Sequence, residues 1–437
     1  MWAKSLFSRR FSQRMTEAGR TGRRDTWGVY MWGWRAALPA GFPIGLGTYR
    51  PILGKRIERL YLLDFVRGWA ALSVVVWHYQ HFFYTAPSTL TPNFDRASQP
   101  FYALLWPFYE QGGRAVQIFF VLSGFVFFFH YAQAIRVRAV DARTFFILRF
   151  SRLYPLHFAT LALVAVGQIA SRFIDGQSIV YPCNTTPYLA LNVFFVMHWL
   201  PANMICWSFN APSWSVSVEV FLYAVFFFVA LSLPRSWRGQ LLTTAVVVAT
   251  GVAVYALRGF HLVGEPVFCF FGGGLACLIW ERSRAWPLCL AGGALGVLAI
   301  TVLYLYFVGI SEIAIGAALY PAAALLLAAL QVLRPKLSRR ATVLGDISYS
   351  VYLLHFPIQL GLLLLNKANL THLDFSAPQV WFFFFSLLLC LSLITYKYFE
   401  LPLQSGLRKQ LLGTHLSRLN TAFGDAAPLS LQKQKRS

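Results

Sequence analysis

Ionisable side chains in the first apolar segment of the chain are spaced for chemistry on a long ligand. Residues 61–85 contain Asp64, Arg67, His78 and His81, although each ionisable group within a membrane span costs ~3 kcal/mol to insert. Arg67 and His78 are eleven residues apart, about 16 Å along a helix axis. The arginine could hold the anionic end of a ligand while the histidine removes a proton at the other end. The alternative is that Arg67 extends to the membrane surface and that His78 is a hydrogen-bonded core residue.

A second pair of cationic side chains, Arg149 and Arg152, lies near the start of the third apolar segment. Their i, i+3 spacing places both on one face of a helix. Two planar guanidinium groups on one face can hold a phosphate or pyrophosphate through bidentate hydrogen bonds. Arginines at this place also serve as ordinary cytoplasmic anchors of a membrane helix, and the spacing alone favours that simpler role.

A carboxylate in the fourth apolar segment completes the candidate site. Glu219 follows Ser215 and Ser217 in the sequence PSWSVSVEV, which predicts a depth similar to that of His78. A buried carboxylate needs a cationic or hydrogen-bonding partner. A carboxylate and a histidine at equal depth can act as a base and the group that orients it. A structural Glu–His or Glu–Arg pair between helices is the alternative.

Two further motifs have simpler interpretations. Ser123 and Gly124, in the second apolar segment, predict close packing of two helices. In the ninth segment, Tyr349, Tyr352 and His355 could line the same site or anchor the helix at the membrane surface.

Histidine and cysteine spacing gives no sign of a metal centre. No third ligand is spaced to join His78 and His81, so we expect no metal. Cys183 and Cys206 fall in segments predicted to lie outside the membrane, where a disulfide is possible. We expect two free thiols at these positions.

The composition places these residues in a helical membrane protein. Of the 437 residues, 57% are hydrophobic and only 12% are charged, which is too little charge to cover a soluble surface. The net charge is +22, but the basic residues lie between the apolar segments and at both ends. That distribution is typical of loops that face anionic lipid, so we expect a lipid bilayer as partner and no nucleic acid.

Ten apolar segments are long enough to cross a membrane as helices. They cover residues 61–85, 114–132, 154–171, 214–233, 240–257, 266–280, 287–308, 312–333, 345–365 and 379–398. An eleventh segment, 188–200, is short and aromatic, and if it enters and returns, the arginine-rich loops stay in the cytoplasm. The sequence therefore predicts an all-α, polytopic transmembrane bundle of about ten spans, with both termini cytoplasmic.

Six motifs in order make the chain resemble the acyltransferase-3 family of integral membrane O-acyltransferases, which includes O-antigen and nodulation-factor acetylases. They lie between residues 61 and 402 and read LDFVRGWAALSVVVWHY, GGRAVQIFFVLSGF, RTFFILRFSRLYPLHF, PSWSVSVEVFLY, ISYSVYLLHFPI and YKYFELP. The resemblance implies about ten core spans. It also implies an enzyme that moves an acyl group, usually from cytoplasmic acyl-coenzyme A, onto a sugar hydroxyl on the far side.

The family motifs assign roles to individual residues. The arginine-to-histidine, paired-arginine and SxSxE-like motifs fall on Arg67, His78, Arg149, Arg152, Ser215, Ser217 and Glu219. The resemblance implies that His78 is a general base or acyl carrier and that Glu219 assists it. We expect Arg67, Arg149, Arg152, Asp64 and Ser217 to bind substrate. Family members often have an acid where this chain has Gln117, so no acid role is assigned there.

These observations divide the chain into three parts. We expect residues 1–59 to form a basic N-terminal arm that is disordered or lies at the membrane interface, 60–402 to form the transmembrane acyltransferase domain, and 403–437 to form a basic C-terminal tail. We expect the protein in a bacterial inner (plasma) membrane.

The function that these observations favour is transfer of an acyl group, most often acetyl, to a carbohydrate hydroxyl. The acceptor would be a polysaccharide, a lipid-linked sugar or a glycoside. Acyl-CoA, with acetyl-CoA as the first choice, would be the donor substrate, and no permanently bound cofactor is expected. The alternative is a transporter that exports an anionic or acylated metabolite, because buried charges alone fit both functions.

Overall fold

The described part of the chain is built from helices and contains no strand. The computed structural model describes residues 60–84, 94–257, 259–333 and 342–422, apart from the side chains of 342 and 414–422. The first helices are α1 Tyr61–His78, α2 Tyr102–Gln111, α3 Ala115–Phe127, α4 Gln133–Arg136, α5 Ala142–Asp175, α6 Thr186–Val193, α7 Trp214–Ser232 and α8 Trp237–Ala256. They are followed by α9 His261–Ser283, α10 Pro287–Val308, α11 Glu312–Ala314, α12 Tyr320–Leu333, α13 Thr342–Lys367, α14 Pro378–Thr395 and α15 Leu401–Ala422. The predicted all-α fold is confirmed.

Nine stretches of the described residues are helical, long and apolar enough to cross a membrane. They are Tyr102–Arg136, Ala142–Asp175, Ala211–Ser232, Trp237–Ala256, His261–Ser283, Pro287–Val308, Glu312–Leu333, Val343–Lys367 and Pro378–Gly413. Each coincides with one of the predicted spans from the second to the tenth, to within one residue at the ends of the predicted spans 214–233 and 240–257. Turns of π-helix at 128–132, 315–319 and 396–400 keep three of these stretches continuous.

The first predicted span is α1, whose charged residues make it less apolar than the other nine. Its 18 residues extend about 27 Å, close to the thickness of the hydrocarbon core. It packs against α13 and α3. Gly345 of α13 leaves no room for a Cβ beside the backbone of Asp64, so α1 and α13 are in backbone contact at this point.

The eleventh segment does not cross the membrane as a helix. Helix α6 has eight residues, about 12 Å, and the chain then returns through an irregular segment to α7. This return brings Cys183 and Cys206 to a Cα–Cα distance of 5.9 Å, and the two residues form a disulfide. The expectation of two free thiols is therefore wrong, because the sequence does not reveal that the chain folds back on itself here.

Helix α5 is the longest helix, and local capping explains both of its ends. The side chain of Asp141 accepts a hydrogen bond from the backbone N–H of Thr144 at 3.0 Å, which is a typical N-cap. Gly176 ends the helix in the left-handed conformation, with φ of 70°, as a C-cap glycine does. The 34 residues of the helix extend about 50 Å, which is longer than the ~30 Å hydrocarbon core of a bilayer.

Two other packing features bear on the predictions. Gly124 of α3 lies against the carbonyl of Phe270 in α9 with no room for a Cβ, which confirms the predicted close helix packing. Residues 401–422 form α15, and Arg408 donates hydrogen bonds to Ser151 and Leu148 of α5. The beginning of the predicted C-terminal tail is thus a helix docked on α5. Residues 1–59 and 423–437 lie outside the described residues.

Candidate active site

Helix α13 positions much of the candidate site, because it packs against three other helices and its polar side chains contact the site residues of α1. It packs against α1, α5 and α14. Arg67 of α1 contacts Gly345 and Ser348, near the start of α13. His78, eleven residues further along α1, lies beside His355. The contacts advance along both helices in the same direction, so α1 and α13 are parallel and carry the site between them.

His78 is the last residue of α1 and is 6% exposed. Its Nδ1 lies 3.0 Å from the carbonyl oxygen of Val74. A carbonyl oxygen can only accept, so Nδ1 carries the proton and Nε2 presents a lone pair. No described residue forms a hydrogen bond with this Nε2. Helix α1 therefore orients His78 as a base through its own backbone.

Two more imidazoles lie beside His78. The ring centroid of His355 is 4.8 Å away and that of His81 is 4.9 Å away. The side chain of Gln359 connects the group: its Nε2 donates to the carbonyl of His78 at 2.9 Å, and its Oε1 lies 3.3 Å from Nδ1 of His81. Within the described ranges, no group of three His, Cys, Asp or Glu residues is arranged to hold a metal ion.

A tyrosine from the loop after α5 completes the hydrogen bonding of His81. The hydroxyl of Tyr181 lies 3.2 Å from Nε2 of His81. Burial raises the pKa of Tyr181 well above its ordinary value, so the phenol stays protonated and donates. Both ring nitrogens of His81 are thus occupied, which sets it apart from His78.

Two predicted residues of the SxSxE-like motif have different neighbours. Ser215 lies 2.7 Å from the hydroxyl of Tyr352, which donates to the carbonyl of Pro212 at 2.5 Å. Ser215 therefore donates to Tyr352, close to His355. Ser217, predicted to bind substrate, donates to the carbonyl of Phe195 at 2.7 Å. Its bond holds the returning segment after α6 against α7, and Ser217 is fully buried.

Glu219 is not brought together with His78. Its Oε1 accepts hydrogen bonds from Tyr223 at 2.6 Å and from Ser123 at 3.2 Å, and it interacts electrostatically with Arg152. The group that orients His78 is the carbonyl of Val74. The predicted carboxylate–imidazole pair is therefore not formed: the direct partners of Glu219 are the hydroxyls of Tyr223 and Ser123, and Arg152 interacts with it only at longer range.

Arg149 and Arg152 both lie close enough to Tyr223 to interact with it electrostatically. Arg149 is 4% exposed and donates to the hydroxyl of Tyr131 at 2.7 Å. Its guanidinium carbon lies 5.1 Å and 5.0 Å from the ring centroids of Phe127 and Tyr131. Among the described residues, no carboxylate lies within 4 Å of either arginine. The pair thus forms a concentration of positive charge without a contacting anion.

Arg67 connects α1 to α13, and Asp64 is its ion-pair partner within α1. Arg67 donates to the carbonyl of Gly345 at 2.8 Å and to the hydroxyl of Ser348 at 3.2 Å. Its Nη2 also lies 3.1 Å from the carboxylate of Asp64. The bonds of Arg67 to Gly345 and Ser348 attach the first half of α1 to α13 and so help to determine where His78 meets His355.

The sequence model of the acyltransferase-3 family, described as an acyltransferase domain, matches residues 60–397. The chain belongs to the acyltransferase-3 family. This confirms the resemblance, and with the nine apolar helices it identifies an integral membrane protein that carries an acyltransferase domain.

Individual relatives cover less of the chain than the family match does. The acyltransferase MdmB of Streptomyces mycarofaciens is 34% identical over 176 residues, which is 39% of this chain and 39% of that protein. The exopolysaccharide production protein ExoZ of Rhizobium meliloti (strain 1021) is 29% identical over 258 residues, or 56% of this chain and 75% of that protein. The chain thus aligns with well under half the length of MdmB. No solved structure matches it.

Gln117, to which no acid role was assigned, lies between two carboxylates. The amide of Gln117 donates to the carboxylate of Glu265 and, at 2.9 Å, to that of Glu312. Glu312 is also paired with Arg114 at 2.7 Å. An acid at position 117 would place three carboxylates together, whereas the amide can donate to both.

Several residues of the site escaped the sequence reasoning. Glu400, in the closing YKYFELP motif of the acyltransferase-3 family, accepts a hydrogen bond from Ser350 and interacts electrostatically with Arg152. Ser123 was predicted only as a packing residue, and Gln359 carried no prediction. The signal for Glu400 was its depth: a carboxylate just after an apolar span needs a partner.

Proposed function

We propose that this protein is a membrane O-acyltransferase that moves an acyl group from acyl-coenzyme A to a hydroxyl of a carbohydrate acceptor. The observation that carries the proposal is the state of His78: its proton is held on Nδ1 by Val74, and its Nε2 has no partner among the described residues. A buried imidazole with a free lone pair is suited to remove a proton from a hydroxyl.

The sidedness of the reaction is supported by the two ends of α5. Arg136, Arg138 and Arg143 lie at or before its start, and arginine-rich loops favour the cytoplasm. The disulfide of Cys183 lies beyond its end, and disulfides persist in oxidising compartments. Both features favour the same orientation, in which the donor enters near the start of α5 and the acceptor meets His78 from the other side. A bacterial inner membrane fits this arrangement.

Arg149 and Arg152 are the residues that we assign to the phosphates of the donor. A phosphate would supply the anion that Arg149 lacks, and a planar guanidinium can bind it in a bidentate manner. Arg152 shares its charge with Glu219 and Glu400, so we assign the closer contact to Arg149. Arg67 and Asp64 would border the path of the pantetheine arm. From Arg67 this path runs ~16 Å along α1 to His78.

The transfer itself would proceed at Nε2 of His78. Nε2 takes the proton of the acceptor hydroxyl while the hydroxyl oxygen bonds to the thioester carbon. The carbon–sulfur bond then breaks, and the proton passes to the leaving thiolate, which gives the acyl ester and free coenzyme A. A route through an acyl-imidazole on the same nitrogen uses the same atoms in two steps.

The acceptor class is supported by the relatives. ExoZ is named for exopolysaccharide production and MdmB as an acyltransferase, and a surface or secreted carbohydrate is accessible from the side of the disulfide. Acetyl is the acyl group that we propose first.

The proposal is tested with the purified full chain in lipid nanodiscs. Acetyl-CoA is supplied with surface polysaccharide prepared from a strain that lacks the protein, and free thiol is measured together with the mass of the polysaccharide. We expect acceptor-dependent thiol release and a gain of one acetyl mass per modified sugar. A transporter would instead show flux across the membrane with no thiol release, and that result would overturn the proposal.

A further inference from the structure

His355 is the other histidine of the site with an unoccupied nitrogen. It is fully buried, and its Nδ1 lies 2.5 Å from the carbonyl oxygen of Tyr352. A carbonyl cannot donate, so Nδ1 holds the proton and Nε2 is an acceptor. This Nε2 is buried and has no hydrogen-bond partner. An unsatisfied buried acceptor destabilises a folded protein, so this nitrogen calls for an explanation.

The position of His355 relative to His78 provides one. The two ring centroids are 4.8 Å apart and the ring planes are inclined by 33°. In both residues a backbone carbonyl of the same helix holds the proton on Nδ1. Two lone pairs cannot bond to each other, since neither Nε2 has a hydrogen. A hydrogen-bond donor that lies between the two Nε2 atoms would satisfy both of them.

The acyl-transfer reaction supplies such a donor. We propose that His355 is a positioning residue that acts through His78: its Nε2 accepts a hydrogen bond from the proton that His78 removes from the acceptor hydroxyl. This inference rests on the proposed function. The proton leaves the hydroxyl oxygen, stays on Nε2 of His78 in contact with His355, and then passes to the sulfur of coenzyme A. No other reactant is needed.

The surroundings are built to preserve this arrangement. Tyr352, whose carbonyl fixes His355, has its hydroxyl held by Ser215 and Pro212. Gln359, one turn after His355, donates to the backbone of His78. The third imidazole, His81, has both nitrogens engaged by Gln359 and Tyr181, so it cannot replace His355 as an acceptor.

Two substitutions of His355 separate this role from a structural one. His355→Gln keeps an acceptor oxygen on a side chain of similar length, and His355→Leu fills the space without an acceptor. A hydrogen bond to a charged group contributes about 1.5–3 kcal/mol, so we expect kcat to fall by roughly 10- to 150-fold in His355→Leu. We expect His355→Gln to recover most of that loss, with the KM for acetyl-CoA unchanged in both.

The measurement is thiol release from acetyl-CoA with surface polysaccharide from a strain that lacks the protein, on full-length variants in nanodiscs. Thermal unfolding checks that both variants are folded. The control is His372→Ala, which changes an exposed loop residue.

Equal kcat values for the Gln and Leu variants, or a change confined to KM, would overturn the inference. Loss of activity in His78→Ala alongside wild-type kcat in His355→Leu would refute only the role of His355. Full activity in His78→Ala would refute the assignment of the base as well.

Discussion

Replacing Arg149 with glutamine tests the donor half of the proposed reaction. The guanidinium is buried between Phe127 and Tyr131 and has one hydrogen bond within the protein, to the hydroxyl of Tyr131. Its other four N–H hydrogens have no hydrogen-bond partner among the described residues, so the side chain has donors left for a phosphate. Loss of a charge-assisted contact costs about 2 kcal/mol, which corresponds to roughly 30-fold in affinity.

We therefore expect Arg149→Gln to raise the KM for acetyl-CoA about 30-fold and to change kcat much less, because His78 is not in contact with Arg149. The KM of Arg149→Lys should lie between those of the wild type and Arg149→Gln, since lysine keeps the charge but lacks the planar guanidinium group. The assay is initial-rate thiol release over a range of acetyl-CoA concentrations. Arg143→Gln, an exposed arginine near the start of the same helix, is the matched control. An unchanged KM in a folded Arg149→Gln protein would refute the phosphate assignment.

Three other predictions concern the supporting structure. Glu219→Gln should keep kcat within about tenfold of wild type, because an amide oxygen can still accept hydrogen bonds from Tyr223 and Ser123. A loss near 10⁴-fold is typical of a carboxylate that orients a catalytic histidine. Such a loss would contradict this prediction and support a pair of Glu219 with His78. Gly124→Ala should destabilise the protein by about 1–3 kcal/mol and lower its thermal unfolding temperature, since the new Cβ would collide with the carbonyl of Phe270. Gly292→Ala, with open space around it, should not lower the thermal unfolding temperature. Replacing both Cys183 and Cys206 with serine should lower stability by about 3 kcal/mol, and wild-type protein should gain maleimide labelling at these two positions only after reduction.

The helices were predictable because the membrane imposes one requirement on every span. Each must satisfy its own backbone hydrogen bonds across about 30 Å of hydrocarbon, so length and hydropathy identify it. The short α6 illustrates the limit of this reasoning. Its 12 Å length excludes a crossing, but the sequence does not show where the chain turns back, and the disulfide between Cys183 and Cys206 was missed for that reason.

Which residues belong to the site was easier to predict than which of them contact each other. Depth along a helix places Glu219 and His78 at similar levels, but depth does not determine which way each side chain faces. The orienting group of His78 is a backbone carbonyl one turn earlier, which leaves no signature in the sequence. His355 belongs to a motif that was recognised, yet its contact with His78 depends on the register of α1 against α13. That register is determined by Gly345 and the bonds of Arg67.

The most direct test of the account is the activity of the His78→Ala variant. The full-length protein in nanodiscs would receive acetyl-CoA and surface polysaccharide from a strain that lacks it, and release of free coenzyme A would be followed over time. We expect acceptor-dependent release to be lost while the thermal unfolding of the variant remains close to that of the wild type. Wild-type rates of release from a folded His78→Ala protein would contradict the assignment of His78 as the base on which acyl transfer depends.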